Sequence, residues 1–142
     1  MILRPAYTSD INEIVSMYKG LIKSIYPNRR IGSDYHFYKT VIRWIDSGYD
    51  ILVTQKDENI TGFYMAFVDD MGGLTQSVYY CTELYIKPDF RKSRAFYLMQ
   101  KNIIETAKYK DLILVADAVP EIKPIYKKLG GVVTLTKHEK ET

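Results

Sequence analysis

Between Ser77 and Ala116 the chain reads as a strand, a long helix and a second strand, and this order decides the core of the fold. A strand that returns to its own sheet through one helix lies parallel to its predecessor, with a right-handed crossover. Ser77–Ile86 is rich in aromatic and β-branched residues and stops before Pro88. Arg91–Lys108 carries Ala95, Leu98, Met99, Ile103 and Ala107 at helical spacing. Leu112–Ala116 is short and wholly apolar, the pattern of a strand buried on both faces.

The remaining segments build outward from this unit. Met1–Ala6 reads as a short strand, and Thr8, Ser9 and Asp10 offer caps for a helix, with Glu13 completing a capping box from Asp10. Ile11, Ile14, Val15, Tyr18, Leu21 and Ile22 give that helix its apolar stripe, and Pro27 bounds it. After the basic loop Asn28–Gly32, a second helix runs from Ser33 or Asp34 to Gly48. The period then changes to two: Asp50–Gln55 and Ile60–Val68 form a hairpin about Asp57-Glu58-Asn59. Asp69–Gln76 is a loop, Pro120–Leu129 a helix broken by Gly130-Gly131, and Val132–Thr136 the last strand. The class is α+β, or α/β in a looser scheme, with a mixed sheet and a single domain over residues 1–142.

Composition limits the partners. A 142-residue chain with 46% hydrophobic and 26% charged residues can bury a core. Its net charge of +3 argues against a dedicated nucleic-acid binder. The local basic concentration is Lys87, Arg91, Lys92 and Arg94, with Lys101 further on, a cluster that suits a small polyphosphate better than a duplex. One cysteine, Cys81, excludes an intrachain disulfide and points to a reducing compartment. The start MILRPAYTSD lacks a signal-peptide core, and no apolar run is long enough for a membrane, so a cytoplasmic location is expected. Association into a homodimer stays open.

The chemistry-bearing segment is Glu83-Leu-Tyr-Ile-Lys-Pro-Asp-Phe-Arg-Lys-Ser-Arg-Ala-Phe96. A strand ends at a proline, a basic turn follows, and a helix begins. The first turn of a helix exposes unpaired N–H groups and the positive end of the dipole, a setting for phosphate. Arg91, Lys92 and Arg94 add charge there. The same pattern is also that of a basic helix cap with no ligand.

This segment resembles the acetyl-CoA-binding region of the GNAT acetyltransferases. Their pattern is a hydrophobic-x-Pro strand end, an aromatic, then Arg/Gln-x-x-Gly-x-Gly/Ala opening a helix. This chain supplies Ile86-Lys87-Pro88, Phe90 and Arg91-Lys92-Ser93-Arg94-Ala95-Phe96. The opening Leu3-Arg4-Pro5-Ala6 with Asp10, and the closing Ile125-Tyr126-Lys127-Lys128-Leu129-Gly130, are similar to the family's ends. An arginine in the first glycine position also resembles members associated with tailed phages. The departure is that Arg94 and Phe96 fill both glycine positions, where a missing Cβ would let backbone approach a ligand. Arg94 can instead turn its guanidinium onto a phosphate, whereas Phe96 must face the core or flank the cofactor.

The resemblance implies a mainly antiparallel sheet with a parallel, splayed pair and flanking helices. It implies acetyl-CoA as co-substrate, its pyrophosphate on Arg91, Lys92, Ser93, Arg94, Ala95 and Phe96, its pantetheine arm on the open edge of Ser77–Ile86. Backbone N–H groups at Leu84, Tyr85 and Ile86 would polarise the thioester carbonyl. An amine of a small molecule or protein would attack directly. Tyr126 stands at the family position for the acid that protonates the thiolate; the alternative for it is a packed helix tyrosine. Glu83 is the candidate base, on a face expected to include Tyr79, Cys81 and Tyr85; its alternative is a carboxylate paired with a nearby cation.

Other residues carry less. Cys81 reads as a small buried apolar residue, His36 and His138 show no metal-ligand spacing, and Trp44 and Tyr38 border a cleft or fill the core. Three functions compete: an N-acetyltransferase, a non-catalytic acyl-CoA- or partner-binding protein on the same scaffold, and a nucleic-acid-associated factor.

Overall fold

The computed structural model describes residues 1–70, 77–118 and 132–135. Its elements are β1 (Ile2–Pro5), α1 (Ile11–Ile25), α2 (Asp34–Asp46), β2 (Asp50–Lys56), β3 (Asn59–Asp69), β4 (Val78–Ile86), α3 (Ala95–Tyr109), β5 (Ile113–Ala118) and β6 (Val132–Leu135). The six strands form one sheet in sequence order. β1 to β4 are antiparallel, and β4–β5 and β5–β6 are parallel. The crossover expected around the long helix is therefore present, and the sheet is mixed. The helix read at Pro120–Leu129, the Gly130-Gly131 break and the charged tail lie outside the described residues.

Strand alternation divides the core into two layers. Along β3, Tyr64 and Ala66 face α3 and join Tyr79, Cys81, Met99, Ile103 and Leu114. Phe63 and Met65 face the other way, against Ile14, Phe37, Val41 and Trp44 of α1 and α2. Trp44 is thus a core residue, the second of the two placements open to it. Local chemistry sets the element ends. Ser33 caps α2 by accepting from the His36 amide at 3.2 Å. Gly48, at φ +73°, turns the chain out of α2 in a region that a Cβ disfavours. Asp57, at φ 55°, makes the β2–β3 turn, a place that Asp tolerates.

Tyrosine is used in the core with its hydroxyl satisfied. Tyr64 donates to Asn102 at 2.5 Å and Tyr79 to Asp50 at 2.6 Å. Burial, above all, pushes both phenols well above the usual range, so both stay protonated donors at neutral pH.

Two helix starts differ from the sequence reading. Asp10 and Glu13 do not close a capping box on α1. Asp10 is buried and its carboxylate turns back, accepting from Arg4 at 2.8 and 3.1 Å and from the Tyr7 amide at 2.7 Å. Glu13 instead pairs with Lys87, tying α1 to the end of β4. The bidentate cation outcompetes a local cap because it also neutralises a charge that would otherwise be buried alone. The second difference is that α3 begins at Ala95, not Arg91. Pro88–Phe90 forms a single 3₁₀ turn, and Arg91–Arg94 is a further turn before the helix.

The Arg4–Asp10 pair gives a stability prediction. The Arg4 guanidinium beside Asp10 holds its carboxyl below the usual carboxylate range. A lowered folded-state pKa adds stability that is present above the unfolded value, about 3.9, and is lost as pH falls through the folded value. Asp10→Asn should cost about 2 kcal/mol at neutral pH, because the pair is largely buried. Denaturant titrations from pH 7 downward should show the gap to the parent closing below about pH 4. A constant gap would remove the ion pair as its source.

Candidate active site

The site is built by one extra residue in β4. Met65 pairs with Glu83 and Ala66 with Cys81, which leaves Thr82 as a bulge. A bulge bends a strand and increases its twist. The bend falls where β4 leaves β5, since their pairing runs from Val78↔Ile113 to Cys81↔Ala116 and stops. Among the described residues, Thr82–Ile86 has β3 on one side and no strand on the other. The two parallel strands therefore fork, and the fork is the splayed opening that the resemblance implied.

Hydrogen-bond direction shows which backbone groups line the opening. The Lys87 amide donates to Thr61 O at 2.8 Å, so Lys87 faces β3. By alternation Tyr85 and Glu83 also face β3, while Leu84 and Ile86 turn their main-chain groups outward. Of the three backbone positions at the strand end, Leu84 and Ile86 thus stand at the open edge. The outward Ile86 carbonyl accepts from Arg91 Nε at 3.0 Å. Arg91 also lies over the Tyr85 ring, 5.5 Å from its centroid. This arginine fastens the basic turn to the mouth of the fork.

The turn itself is organised by Ser93. Its Oγ donates to Phe90 O at 2.5 Å and accepts from the Ala95 amide at 3.2 Å, so it acts as a cap at the start of α3. The first i→i−4 bond of the helix is Leu98 N to Arg94 O at 3.0 Å. The Phe96 and Tyr97 amides precede it and have no partner within the helix. Arg91, Lys92, Ser93 and Arg94 are all exposed. Ala95 is fully buried, and Phe96 packs against the α3 core layer. Phe96 thus faces the core, one of the two placements open to it. Arg94 extends over the Tyr97 ring at 5.8 Å, on the exposed surface of the helix.

The bulge also corrects the face of Glu83. Tyr79 and Cys81 lie in the α3 layer, but Glu83 pairs with Met65 and Tyr85 with Phe63, both of the opposite layer. Glu83 and Tyr85 therefore point toward α1, away from Tyr79 and Cys81. Strand alternation failed here because Thr82 adds one residue to the count. On the α1 side burial, with the Glu83 charge adding to it, pushes the Tyr18 phenol up to about 12. Tyr85 reaches α1 at Gly20, where a Cβ would come within 2.9 Å of the tyrosine hydroxyl. Glycine is needed at that one helical position for the ring to approach. Tyr126, the candidate acid, lies outside the described residues.

Sequence reasoning did not identify a cavity of about 440 Å³ between α1 and α2, lined in part by Tyr18, Tyr26, Arg29, Arg30, His36 and Phe37. Its signal was the basic loop Asn28–Gly32. Tyr38 borders a different hollow, beside Lys19 and Asp34.

No protein-family model matches the sequence, and no curated protein does. Solved structures do match it. A predicted acetyltransferase from Clostridium acetobutylicum, solved with acetyl-CoA, superposes with a TM-score of 0.77 at 19% identity, over 94% of this chain and 90% of its own. An aminoglycoside 6'-N-acetyltransferase from Acinetobacter haemolyticus gives 0.70 at 16% identity, over 96% and 98%. A ribosomal-protein-alanine N-acetyltransferase from Brucella melitensis gives 0.67 at 17% identity, over 96% of each chain. With the forked parallel strands, the bulge and the basic turn in place, the chain has the fold of the GNAT N-acetyltransferases.

Proposed function

We propose that the chain transfers the acetyl group of acetyl-CoA to an amine by direct attack. The observation that carries this reading is the fork itself: an open β4 edge at Leu84 and Ile86 leads straight to a basic turn and a helix N-terminus. A pantetheine arm offers amide groups that an open strand edge can pair, and a pyrophosphate offers anions that a helix start and arginines can hold. The neighbour solved with acetyl-CoA supports the choice of co-substrate.

In this reading the Leu84 or Ile86 N–H polarises the thioester carbonyl. Glu83, on the α1 face, takes the proton of the incoming ammonium. The new bond joins the amine nitrogen to the acetyl carbon, the carbon–sulfur bond breaks, Tyr126 gives its proton to the leaving thiolate, and the second proton of the nitrogen passes to water, from which Tyr126 is reprotonated. Arg91, Lys92, Ser93, Arg94, Ala95 and Phe96 form the turn that receives the pyrophosphate: Arg91, Lys92 and Arg94 through charge, Phe96 through its backbone amide, and Ser93 with Ala95 by holding the turn in shape through their hydrogen bond.

The second reading, an acyl-CoA-binding protein without catalysis, draws on Arg94 and Phe96 standing at the family's glycine positions. The separating experiment is transfer: purified protein, acetyl-CoA and a broad amine panel, with free CoA and N-acetyl product both measured. Stoichiometric appearance of the two supports the enzyme. Tight acetyl-CoA binding with no product from any amine supports the scaffold reading. Arg91→Ala with Arg94→Ala should weaken acetyl-CoA binding by about tenfold at low salt, a modest figure because both side chains are exposed. Raising the salt should narrow the difference. Equal affinity at all salt concentrations would place the phosphates elsewhere.

A further inference from the structure

Tyr85 stands between the basic turn and α1. The Arg91 guanidinium lies over its ring, 5.5 Å from the centroid, within the range of a cation–π contact. The far end of the ring rests on α1. A Cβ at Gly20 would come within 2.9 Å of the Tyr85 hydroxyl oxygen and 3.2 Å of the ring carbon that bears it. Glycine inside a helix is costly relative to alanine, and here its bare backbone is the seat of the tyrosine.

The seat is fixed because the start of α1 is pinned. Asp10, which precedes the helix, is buried on Arg4, and Glu13 pairs with Lys87 at the end of β4. Glu13 and Gly20 lie on one face of α1, about two turns apart, and Lys87 and Tyr85 lie on one face of the β4 end. Helix and strand are therefore joined twice, once by charge and once by close approach. A side chain added at Gly20 must be met by movement of the Tyr85 ring, and the guanidinium on that ring moves with it. Arg91 also donates from Nε to the Ile86 carbonyl at 3.0 Å, so its placement decides how the turn meets the fork.

We propose that Tyr85 is a positioning residue: seated on Gly20, it holds the Arg91 guanidinium at the mouth of the fork for the pyrophosphate of acetyl-CoA. The inference rests on the acetyl-transfer reading and adds to it a link between α1 and the cofactor turn. Because α1 packs on the face of β4 that carries Glu83, one helix sets both the surroundings of the candidate base and the place of a cofactor cation.

The test is Gly20→Ala, which alters neither Arg91 nor the turn. It should weaken acetyl-CoA binding about threefold at low salt, the worth of one exposed cation–π contact, and the loss should fade at high salt. Gly20→Ala with Tyr85→Phe removes the hydroxyl nearest the new methyl and should restore most of the affinity. A packing defect alone would shift the unfolding midpoint with no salt-dependent loss of affinity and no rescue. Parent affinity in folded Gly20→Ala, or a loss that the double variant leaves unrepaired, would overturn the proposal. Should Gly20→Ala not fold, Tyr85→Leu, which removes the ring face, should lose more affinity than Tyr85→Phe, which keeps it; equal losses would overturn the proposal. The link is also read without cofactor, from the Arg91 Nε–Hε resonance, which the Tyr85 ring current and the Ile86 carbonyl set. That resonance should shift in Gly20→Ala and return in the double variant. A resonance indifferent to Gly20→Ala overturns the inference and leaves the acetyl-transfer reading intact. The expected shifts in a chain that binds no acetyl-CoA support the link, and only the acetyl-CoA reading fails.

Discussion

Tyr126→Phe should leave acetyl-CoA binding intact and slow acetyl transfer by about 10²–10⁴-fold, the usual contribution of a general acid. The substitution removes one hydroxyl and keeps the ring, so packing changes little. A thiolate expelled without a donor must wait for solvent, and the barrier rises by the lost proton transfer. Turnover then falls while affinity holds, the pattern of an interaction made only in the transition state. Single-turnover rates at saturating acetyl-CoA and amine, beside a calorimetric titration, read the two quantities independently. A variant that transfers acetyl at the parent rate would remove Tyr126 from the chemistry and leave water as the acid.

Gly62→Ala should cost about 2–3 kcal/mol of folding stability, the range of an overpacked core position. Gly62 lies on β3 opposite Ile86. A Cβ there would fall 2.7 Å from the Tyr85 carbonyl oxygen, 2.8 Å from Met99 Cε and 3.1 Å from Thr54 Oγ1. The methionine end can swing aside. The carbonyl cannot, since the adjacent Lys87 amide is bonded to Thr61 and fixes the strand. Thr54 is held as well, by its 2.7 Å hydrogen bond to Thr61. Relief must therefore come from moving β4 at the mouth of the fork. Urea denaturation should show a lower midpoint with an unchanged slope. A stability within about 0.5 kcal/mol of the parent would show that β3 and β4 separate easily there.

How far the sequence could be read follows from the range over which each signal acts. The crossover unit was legible because Ser77–Ile86, the helix and Leu112–Ala116 each carry a strong local period, and one handed arrangement joins them. The hairpin and the helix ends at Pro27 and Gly48 were legible for the same reason. The bulge was not. Thr82 is an ordinary strand residue, with no glycine or proline to mark a break, and its extra position is defined only by the partner strand. That single residue turned Glu83 and Tyr85 to the α1 face. Asp10 was read as a local cap because Glu13 follows at the right spacing. Its partner, Arg4, and the pairing of Glu13 with Lys87 depend on how β1 and α1 pack. The basic loop Asn28–Gly32 was visible as charge, but what it faced depended on α2 folding back against Tyr18. At the turn, Arg91, Lys92 and Arg94 were legible as a local concentration of charge and Ser93 only through the family resemblance, while the use of Arg91 to hold the Ile86 carbonyl needed coordinates.

The central claim is that the fork between β4 and β5, with the turn at Arg91–Arg94, receives acetyl-CoA. Isothermal titration of the full chain with acetyl-CoA tests it most directly. Saturable one-to-one binding that weakens as salt is raised is expected, because the pyrophosphate meets exposed cations at the helix start. Absence of saturable binding at low salt, in a protein whose circular dichroism and cooperative unfolding show that it is folded, would contradict it.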